Sequence, residues 1–124
     1  VYTKAPSGGP LVQHAVLAMF EAYHQGKISV EKIVEKMAHN PAKIFKIENR
    51  GFIKEGYYAD LVLINPAMPW NVKKENILYK CGWSPMEGTN FKSRITHTFV
   101  NGELVYQNSK VSDNRAGMRL LFNR

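Results

Sequence analysis

The chain has 124 residues, with 17 Lys and Arg against 10 Asp and Glu, a formal net charge of +7 and 44% hydrophobic residues. This length and hydrophobic share are enough for one domain with a core and exclude a disordered tail. The single Cys, Cys81, excludes an intrachain disulfide, so we expect a reducing, cytoplasmic setting. The chain begins with Val1 rather than Met, and we therefore expect it to be a piece of a longer protein.

The positive charge does not by itself indicate a nucleic-acid partner. The basic residues are scattered from Lys4 to Arg124, and only residues 110–124 are locally enriched in Arg. Phosphate backbones are usually bound by a clustered basic face, so we expect a solvated surface and no nucleic acid. The longest apolar run, residues 15–20, is far shorter than the roughly 18 residues of a membrane span, and no secretory signal is evident. We therefore expect no membrane partner.

The first half of the chain has helical patterns. Two Pro and the pair Gly8-Gly9 predict a loop over residues 1–10. A helix is predicted from Leu11 to about Gly26, and it is apolar nearly all round, so we expect it to pack on more than one side.

A second helix is predicted to begin after Ser29, a good N-cap, and to end at Asn40, because a residue before proline avoids helical angles. Pro41 can then begin a short third helix. Apolar residues at helical spacing predict one buried stripe on the second helix and two further apolar positions on the third: Val30, Ile33, Val34, Met37, Ile44 and Phe45.

The second half of the chain has strand patterns. Residues 59–65 contain four apolar residues without alternation, which predicts a strand buried on both faces. Residues 93–100 and 103–106 flank Asn101-Gly102, the strongest short signal for a hairpin with a type I′ turn. The apolar residues of the first hairpin strand cannot all face one side, which favours a β-bulge. We expect a small antiparallel or mixed sheet.

The residue spacings contain no complete active site. The four histidines are far apart in sequence, with no metal-binding spacing, so each is predicted to lie at the surface or core edge: His14, His24, His39 and His97. Cys81 is interpreted as structural, and Trp83 as an anchor for a turn rather than a ligand-stacking residue. Ser7, Gly8 and Gly9 could cradle an anion ahead of the first helix, although composition alone favours a simple turn.

Three strings together resemble the C-terminal part of the dihydroorotases, a family in the metal-dependent amidohydrolase superfamily. They are KAPSG at residues 4–8, NPAKIF at 40–45 with ADLVL at 59–63, and KCGWSPMEG at 80–88 with TFVNGELVY at 98–106. The second string is shared with many amidohydrolases. The third is sharper, because the related allantoinases and dihydropyrimidinases usually lack the Cys-Gly-Trp stretch.

The resemblance implies an α+β fragment of a larger fold. Residues 1–47 would be the last helices of a (β/α)₈ TIM-type barrel, and residues 48–124 would contribute strands to the amidohydrolase β-sandwich domain. The zinc ligands and the catalytic Asp of the family lie in barrel strands, upstream of Val1, so no metal or catalytic residue is expected in this segment.

The resemblance also implies an activity for the parent enzyme. A dihydroorotase reversibly cyclises N-carbamoyl-L-aspartate to dihydroorotate in pyrimidine biosynthesis, using hydroxide bound to a binuclear zinc site. We expect the parent to form homo-oligomers, and the isolated segment to be inactive and free of zinc. Two alternatives remain open: a non-catalytic scaffold for aspartate transcarbamoylase, and another cyclic amidohydrolase such as an allantoinase or dihydropyrimidinase.

One functional element of the family maps onto this chain. The loop after the catalytic Asp offers backbone groups to the substrate ring, and its matching pair here is Ser7-Gly8, framed by Ala5 and Pro6. A Gly in such a loop allows close approach of a ligand. The chain departs from the family at three places: Lys46 replaces a common Gly, Tyr58 replaces a frequent Asp, and residues 13–14 (Gln-His) replace an acidic residue.

Overall fold

The computed structural model describes residues 8–123 of the chain. Helices come first and strands follow, as the sequence predicts. Every helix within residues 8–123 is too short or too polar to span a lipid bilayer. The helices are α1 (Ala15–His24), α2 (Val30–Val34) and α3 (Asn40–Ile44), with a π-helical segment (Glu35–His39) between α2 and α3. The strands are β1 (Leu61–Asn65), β2 (Trp70–Asn71), β3 (Asn90–Phe91), β4 (Arg94–Val100), β5 (Glu103–Gln107) and β6 (Lys110–Val111), and a 3₁₀ turn (Lys74–Asn76) follows β2.

Helix α1 ends where the sequence predicts but begins later. Residues 11–14 form a turn, so the regular helix starts at Ala15 instead of Leu11. At the other end the N–H of Gly26 bonds to the carbonyl of Tyr23 and that of Lys27 bonds to Ala22, a Schellman arrangement. The helix packs on both α2 and β3, which confirms the expectation of more than one packed side.

The second helix does not stop at the proline. Ser29 caps α2 as predicted, with its Oγ accepting the N–H of Lys32. Asn40 keeps helical angles, however, and its N–H bonds five residues back to Glu35, so the chain runs through the π segment into α3. The wider π turn accommodates Pro41, whose ring and missing N–H disturb a regular α-helix. The predicted end at Asn40 is therefore wrong.

The predicted buried stripe is also largely wrong. Ile33 is buried, whereas Val34 and Met37 are about two-fifths exposed, with 42% and 41% of their surface accessible. The two apolar residues at the end of α3, Ile44 and Phe45, are more exposed still. Helical spacing identifies the apolar face, but burial also requires a neighbouring element: of this stripe Ile33 is buried and Val30 half-buried.

The main sheet has four antiparallel strands in the order β1-β4-β5-β6. The prediction that the first strand is buried on both faces is wrong, because Val62 and Leu63 are each 49% exposed. Strand β1 lies at the edge of the sheet formed by the described residues. Its continuous apolar run therefore does not mark a central buried strand.

The hairpin between β4 and β5 follows its sequence prediction closely. Asn101 and Gly102 both have positive φ, 52° and 86°, as a type I′ turn requires. The pairing of β4 with β5 shifts between Thr98 and Phe99, which confirms the expected β-bulge. A second shift between Leu63 and Ile64 marks the pairing of β1 with β4.

A small hydrophobic core joins α1 to the region after β1. Leu17, Val72 and Phe91 form its buried centre. The residues packed around that centre come from α1 and from the chain between β2 and β4: Val16, Ala18, Trp70, Ile77, Met86 and Ile95. This core places the start of α1, and the loop before it, against residues 70–95.

The end of the chain returns to the helical part. Ile47 and Phe122 form an isolated antiparallel bridge, and the N–H of Glu48 bonds to the carbonyl of Leu121. The N–H of Asn123 bonds in turn to the carbonyl of Lys46. The basic tail is thus attached to the turn after α3 rather than extending freely.

Candidate functional site

The predicted substrate loop is described from Gly8 onward. Ala5, Pro6 and Ser7 lie outside the described residues. Gly8 is exposed with φ of 65°, and a Cβ built on it would have no heavy atom within 4 Å. A Cβ on Gly9 would meet the Cγ of Pro85 at 3.8 Å. Both glycines are exposed, and among the described residues a side chain at Gly8 would have open space whereas one at Gly9 would contact Pro85.

Gln13 ties the end of this loop to a distant segment. Its backbone N–H donates to the hydroxyl of Tyr79 over 2.7 Å. Its side-chain amide donates to the carbonyl of Asn76 over 2.8 Å, and its Oε1 accepts the N–H of Leu78 over 2.9 Å. One glutamine thus satisfies two backbone groups in a stretch that lies outside regular secondary structure, as buried and half-buried peptide groups require.

His14 makes a further bond to the same region. It is fully buried, with 0% of its surface exposed, and its Nδ1 lies 2.9 Å from the Oγ of Ser84, which is also buried. The expectation that each histidine lies at the surface or core edge is therefore wrong for His14. The ring sits among three aromatic side chains, with centroid separations of 5.7 Å to Trp70, 5.8 Å to Tyr79 and 6.4 Å to Phe91.

The surroundings of His14 favour its neutral form. Burial lowers the pKa of the imidazole below its ordinary value of 6.5, because the aromatic pocket replaces the water that would solvate a charge. The ring lies among the aromatic rings of Trp70, Tyr79 and Phe91, and its hydrogen bond is to Ser84. At neutral pH the side chain therefore acts as an uncharged hydrogen-bonding group.

The remaining predicted residues are dispersed. His24 bonds to Ser93, His39 stacks on Phe52 at 4.3 Å, and His97 lies 3.0 Å from the hydroxyl of Thr96. All three are half-buried, as expected for the core edge. Cys81 is exposed, and its Sγ lies 3.7 Å from the carbonyl of Trp83, itself about half exposed.

The described residues do not fit a metal site. Across residues 8–123, the side chains of His, Cys, Asp and Glu nowhere assemble in a group of three or more that could hold an ion. The sequence assigns no metal ligand to this segment either.

Asp60, the acidic residue of the ADLVL string, belongs to a polar network with Arg50 and Asn101. Asp60 forms an ion pair with Arg50 and accepts the backbone N–H of Asn101 over 2.8 Å. The Arg50 guanidinium also donates to Oδ1 of Asn101 over 2.6 Å and lies 4.2 Å from the ring centroid of Tyr58. Asp60 thus holds the hairpin turn at Asn101, and the ring of Tyr58 packs against the guanidinium of Arg50.

The departure at Lys46 has a backbone explanation. Lys46 has φ of 53°, in the left-handed region that glycine adopts without strain. The common Gly of the family at this position therefore matches the local conformation. The Lys side chain adopts the same turn at a steric cost.

Sequence reasoning missed the bonds of Gln13 and His14. The sequence marks both residues as a departure from a family pattern and places His14 at the surface or core edge, without indicating a hydrogen-bond partner for either. Their partners lie 63 to 70 positions away, so no local periodicity could reveal the contacts. The available signal was two polar residues inside an otherwise apolar helical stretch, which calls for buried hydrogen-bond partners.

Comparison with known proteins identifies the fold and its family. Residues 6–105 match the model of the amidohydrolase family, and the chain belongs to that family. A dihydroorotase of Pyrococcus horikoshii is 35% identical over 115 residues, and one of Clostridioides difficile is 38% identical over 106 residues. These matches cover 93% and 85% of this chain but 27% and 24% of the two relatives. The chain thus spans about a quarter of the length of the curated relatives.

Solved structures show the same arrangement. An L-hydantoinase (dihydropyrimidinase) from Arthrobacter aurescens superposes with a TM-score of 0.80 at 25% identity, over 93% of this chain and 26% of that one. A dihydropyrimidinase from Brevibacillus agri has a TM-score of 0.78 at 27% identity, over 89% of this chain and 24% of that one. The described helices and sheet therefore match one portion of larger cyclic-amidohydrolase structures.

Proposed function

We propose that this chain is the C-terminal part of a dihydroorotase, an enzyme that reversibly cyclises N-carbamoyl-L-aspartate to dihydroorotate in pyrimidine biosynthesis. The observation that carries the proposal is the similarity of most of the chain to curated dihydroorotases, at 35% identity over 115 residues for one of them. The CGWSP string at residues 81–85 supports this choice over related families.

In this proposal the chain contributes to two parts of the enzyme. Residues 1–47 complete a barrel, and residues 48–124 add strands to a β-sandwich. The order of elements supports the division, because within residues 8–123 the three α-helices end before residue 47 and the six strands begin after it.

The contribution to substrate binding comes from the loop at residues 5–8. The backbone of Ser7 and Gly8, framed by Ala5 and Pro6, would contact the pyrimidine ring of dihydroorotate. Two observations support this role. Gly8 has open space beside it, and the loop is followed by residues that are bonded firmly to the rest of the fold. An accessible backbone whose position is fixed can donate hydrogen bonds to a ligand and accept them from it.

The zinc ions and catalytic Asp of the enzyme would belong to the part of the protein upstream of Val1. Zinc bound there would supply the hydroxide for opening the ring. The residues of this chain would bind and orient the substrate and exclude water on their side of the site.

The test is an assay of the complete protein that carries this segment. We expect it to convert dihydroorotate to N-carbamoyl-aspartate and the reverse, with much lower turnover of allantoin and dihydrouracil. Turnover of dihydrouracil or hydantoin instead would overturn the proposal in favour of the second candidate. A complete protein without turnover, which co-purifies with aspartate transcarbamoylase, would show the scaffold alternative.

The second candidate is a dihydropyrimidinase-type hydantoinase. The specific observation in its favour is the structural similarity to two such enzymes, at 25% and 27% identity. The identities to the curated dihydroorotases are higher, from 31% to 42%. Dihydroorotate carries a carboxylate that dihydrouracil lacks, so the two substrates separate the candidates directly.

A further inference from the structure

Two buried polar side chains, His14 and Ser84, are hydrogen-bonded to each other, and Pro85, the residue after Ser84, lies near Gly9 of the loop. We propose that this pair positions the loop backbone for substrate binding, so that both are positioning residues of the enzyme. The inference rests on the substrate contact proposed above for Gly8. It adds two residues that act on substrate binding through the loop backbone and do not themselves touch the substrate.

The first argument is the location of the contacts. Ser84 bonds to His14 over 2.9 Å, and the next residue, Pro85, lies 3.8 Å from the Cβ position of Gly9. Two successive residues thus connect the start of α1 with the loop, because Ser84 bonds to His14 and Pro85 lies next to Gly9.

The second argument is the direction of the hydrogen bond. The Ser84 Oγ accepts the backbone N–H of Met86 over 3.2 Å, so its hydroxyl proton is available to donate to Nδ1 of His14. Nδ1 is then the acceptor, and the ring carries its proton on Nε2. This is the arrangement of a neutral imidazole; a charged ring would instead donate from Nδ1 to the same Oγ, so the bond marks the position of the ring and not its charge.

The third argument is the cost of placing an imidazole in this pocket. Nε2 of His14 is buried and has no hydrogen-bond partner among residues 8–123. An unpaired buried polar group costs about 1–3 kcal/mol, which an apolar ring of similar size would avoid. Phe would fill the space between Trp70, Tyr79 and Phe91 more cheaply for the fold alone. What the imidazole adds is the bond to Ser84.

The fold provides a matched control for this pair. Ser93 is also fully buried, and its Oγ lies 2.8 Å from Nε2 of His24, at the opposite end of α1. The two pairs share the same chemistry and the same helix, but among the described residues only the first is followed by a residue, Pro85, that lies near Gly9. Loss of general stability would affect both, whereas loss of loop positioning would affect only one.

The experiment compares Ser84→Ala, His14→Phe and Ser93→Ala in the complete protein. We expect Ser84→Ala and His14→Phe to raise KM for dihydroorotate about tenfold, with kcat changed by less than about threefold, since a misplaced binding group weakens substrate binding. Amide exchange of the peptide over residues 8–13 should accelerate about tenfold in the same two variants. Ser93→Ala should leave KM and this exchange unchanged. His14→Asn, which can keep an acceptor near Nδ1, should restore much of both.

The two measurements distinguish this inference from the proposed function. Unchanged loop exchange in folded Ser84→Ala and His14→Phe would overturn the positioning role, whatever the activity. Equal effects of Ser93→Ala would also overturn it, because the role would then be general stability. Accelerated exchange in a protein that turns over no dihydroorotate would support the positioning of the loop and reject the proposed substrate.

Discussion

At the scale of single residues, Gly51 shows how closely the chain packs after α3. Its φ is 80°, and a Cβ built on it would lie 2.5 Å from the Cβ of Ala42 and 2.9 Å from the carbonyl oxygen of Ala38. Ala38 belongs to the π segment and Ala42 to α3. The turn at Gly51 therefore rests directly on the helix surface, and only a residue without a side chain fits there.

We expect Gly51→Ala to destabilise the fold by about 3 kcal/mol, because the left-handed conformation and the overlap with backbone atoms both add a cost. Gly56→Ala is the matched control. Gly56 has the same φ of 80° but open space around it, so its cost should be about 1 kcal/mol. Urea unfolding measures both, and equal losses would show that the contact with Ala42 and Ala38 does not matter.

His14 gives the fold a pH dependence at the same scale. Burial lowers its pKa below 6.5, so below that pH the unfolded chain binds a proton that the folded chain does not. Stability should therefore fall as the pH drops below about 6.5 and stay level, for this group, above it. Unfolding in urea at pH 7.5 and pH 5.5 would show the loss. His14→Phe should lose less stability between the two pH values than the unaltered chain, and an identical loss would contradict the assignment.

At the scale of elements, Asp60 connects β1 to the hairpin and to the turn that carries Arg50. Asp60→Asn removes a charge from a pair in which Arg50 is buried, and weakens the bond to the N–H of Asn101. We expect a loss of about 2–3 kcal/mol, since a buried guanidinium is left without its partner. Glu55→Gln, at an exposed position nearby, should change stability little. Thermal unfolding of the two variants is the measurement, and a small effect of Asp60→Asn would show that solvent replaces the carboxylate.

The sequence predicts the features of elements that depend on near neighbours. Ser29 as a cap, Gly26 after α1 and the type I′ turn at Asn101-Gly102 each depend on a few adjacent residues, and all three are confirmed. The prediction that the second helix ends at Asn40 is wrong, because a π turn lets the helix continue past the proline. Local rules describe which backbone conformation each residue prefers. They do not reveal an alternative geometry, such as a π turn, in which an unfavoured residue is accommodated.

Burial and the candidate site were harder to predict because they depend on distant partners. The exposure of Val62 follows from its position at a sheet edge, which a single apolar run does not reveal. The bonds of Gln13 and His14 connect two regions with no shared pattern. The family strings located the Gly8 loop, but only the fold shows what supports it.

At the scale of the whole molecule, the expectation that this segment supplies no metal ligand can be tested. We expect the 124-residue chain, expressed alone, to bind no stoichiometric zinc and to hydrolyse no dihydroorotate, because the proposed ligands lie upstream. Elemental analysis after dialysis measures the zinc content. One or two ions per chain would contradict the expectation and would place a metal site within the chain itself.

The contacts of Gln13 and His14 also bear on the order in which parts of the molecule fold. A ribosome that has just synthesised the Gly8 loop has still to add Asn76, Leu78, Tyr79 and Ser84, 63 to 70 residues after their partners. Closing such long intervals is slow and carries an entropic cost that local contacts do not have. The loop therefore acquires its final support among the last steps of folding, after α1 and the hairpin can form from their own neighbours.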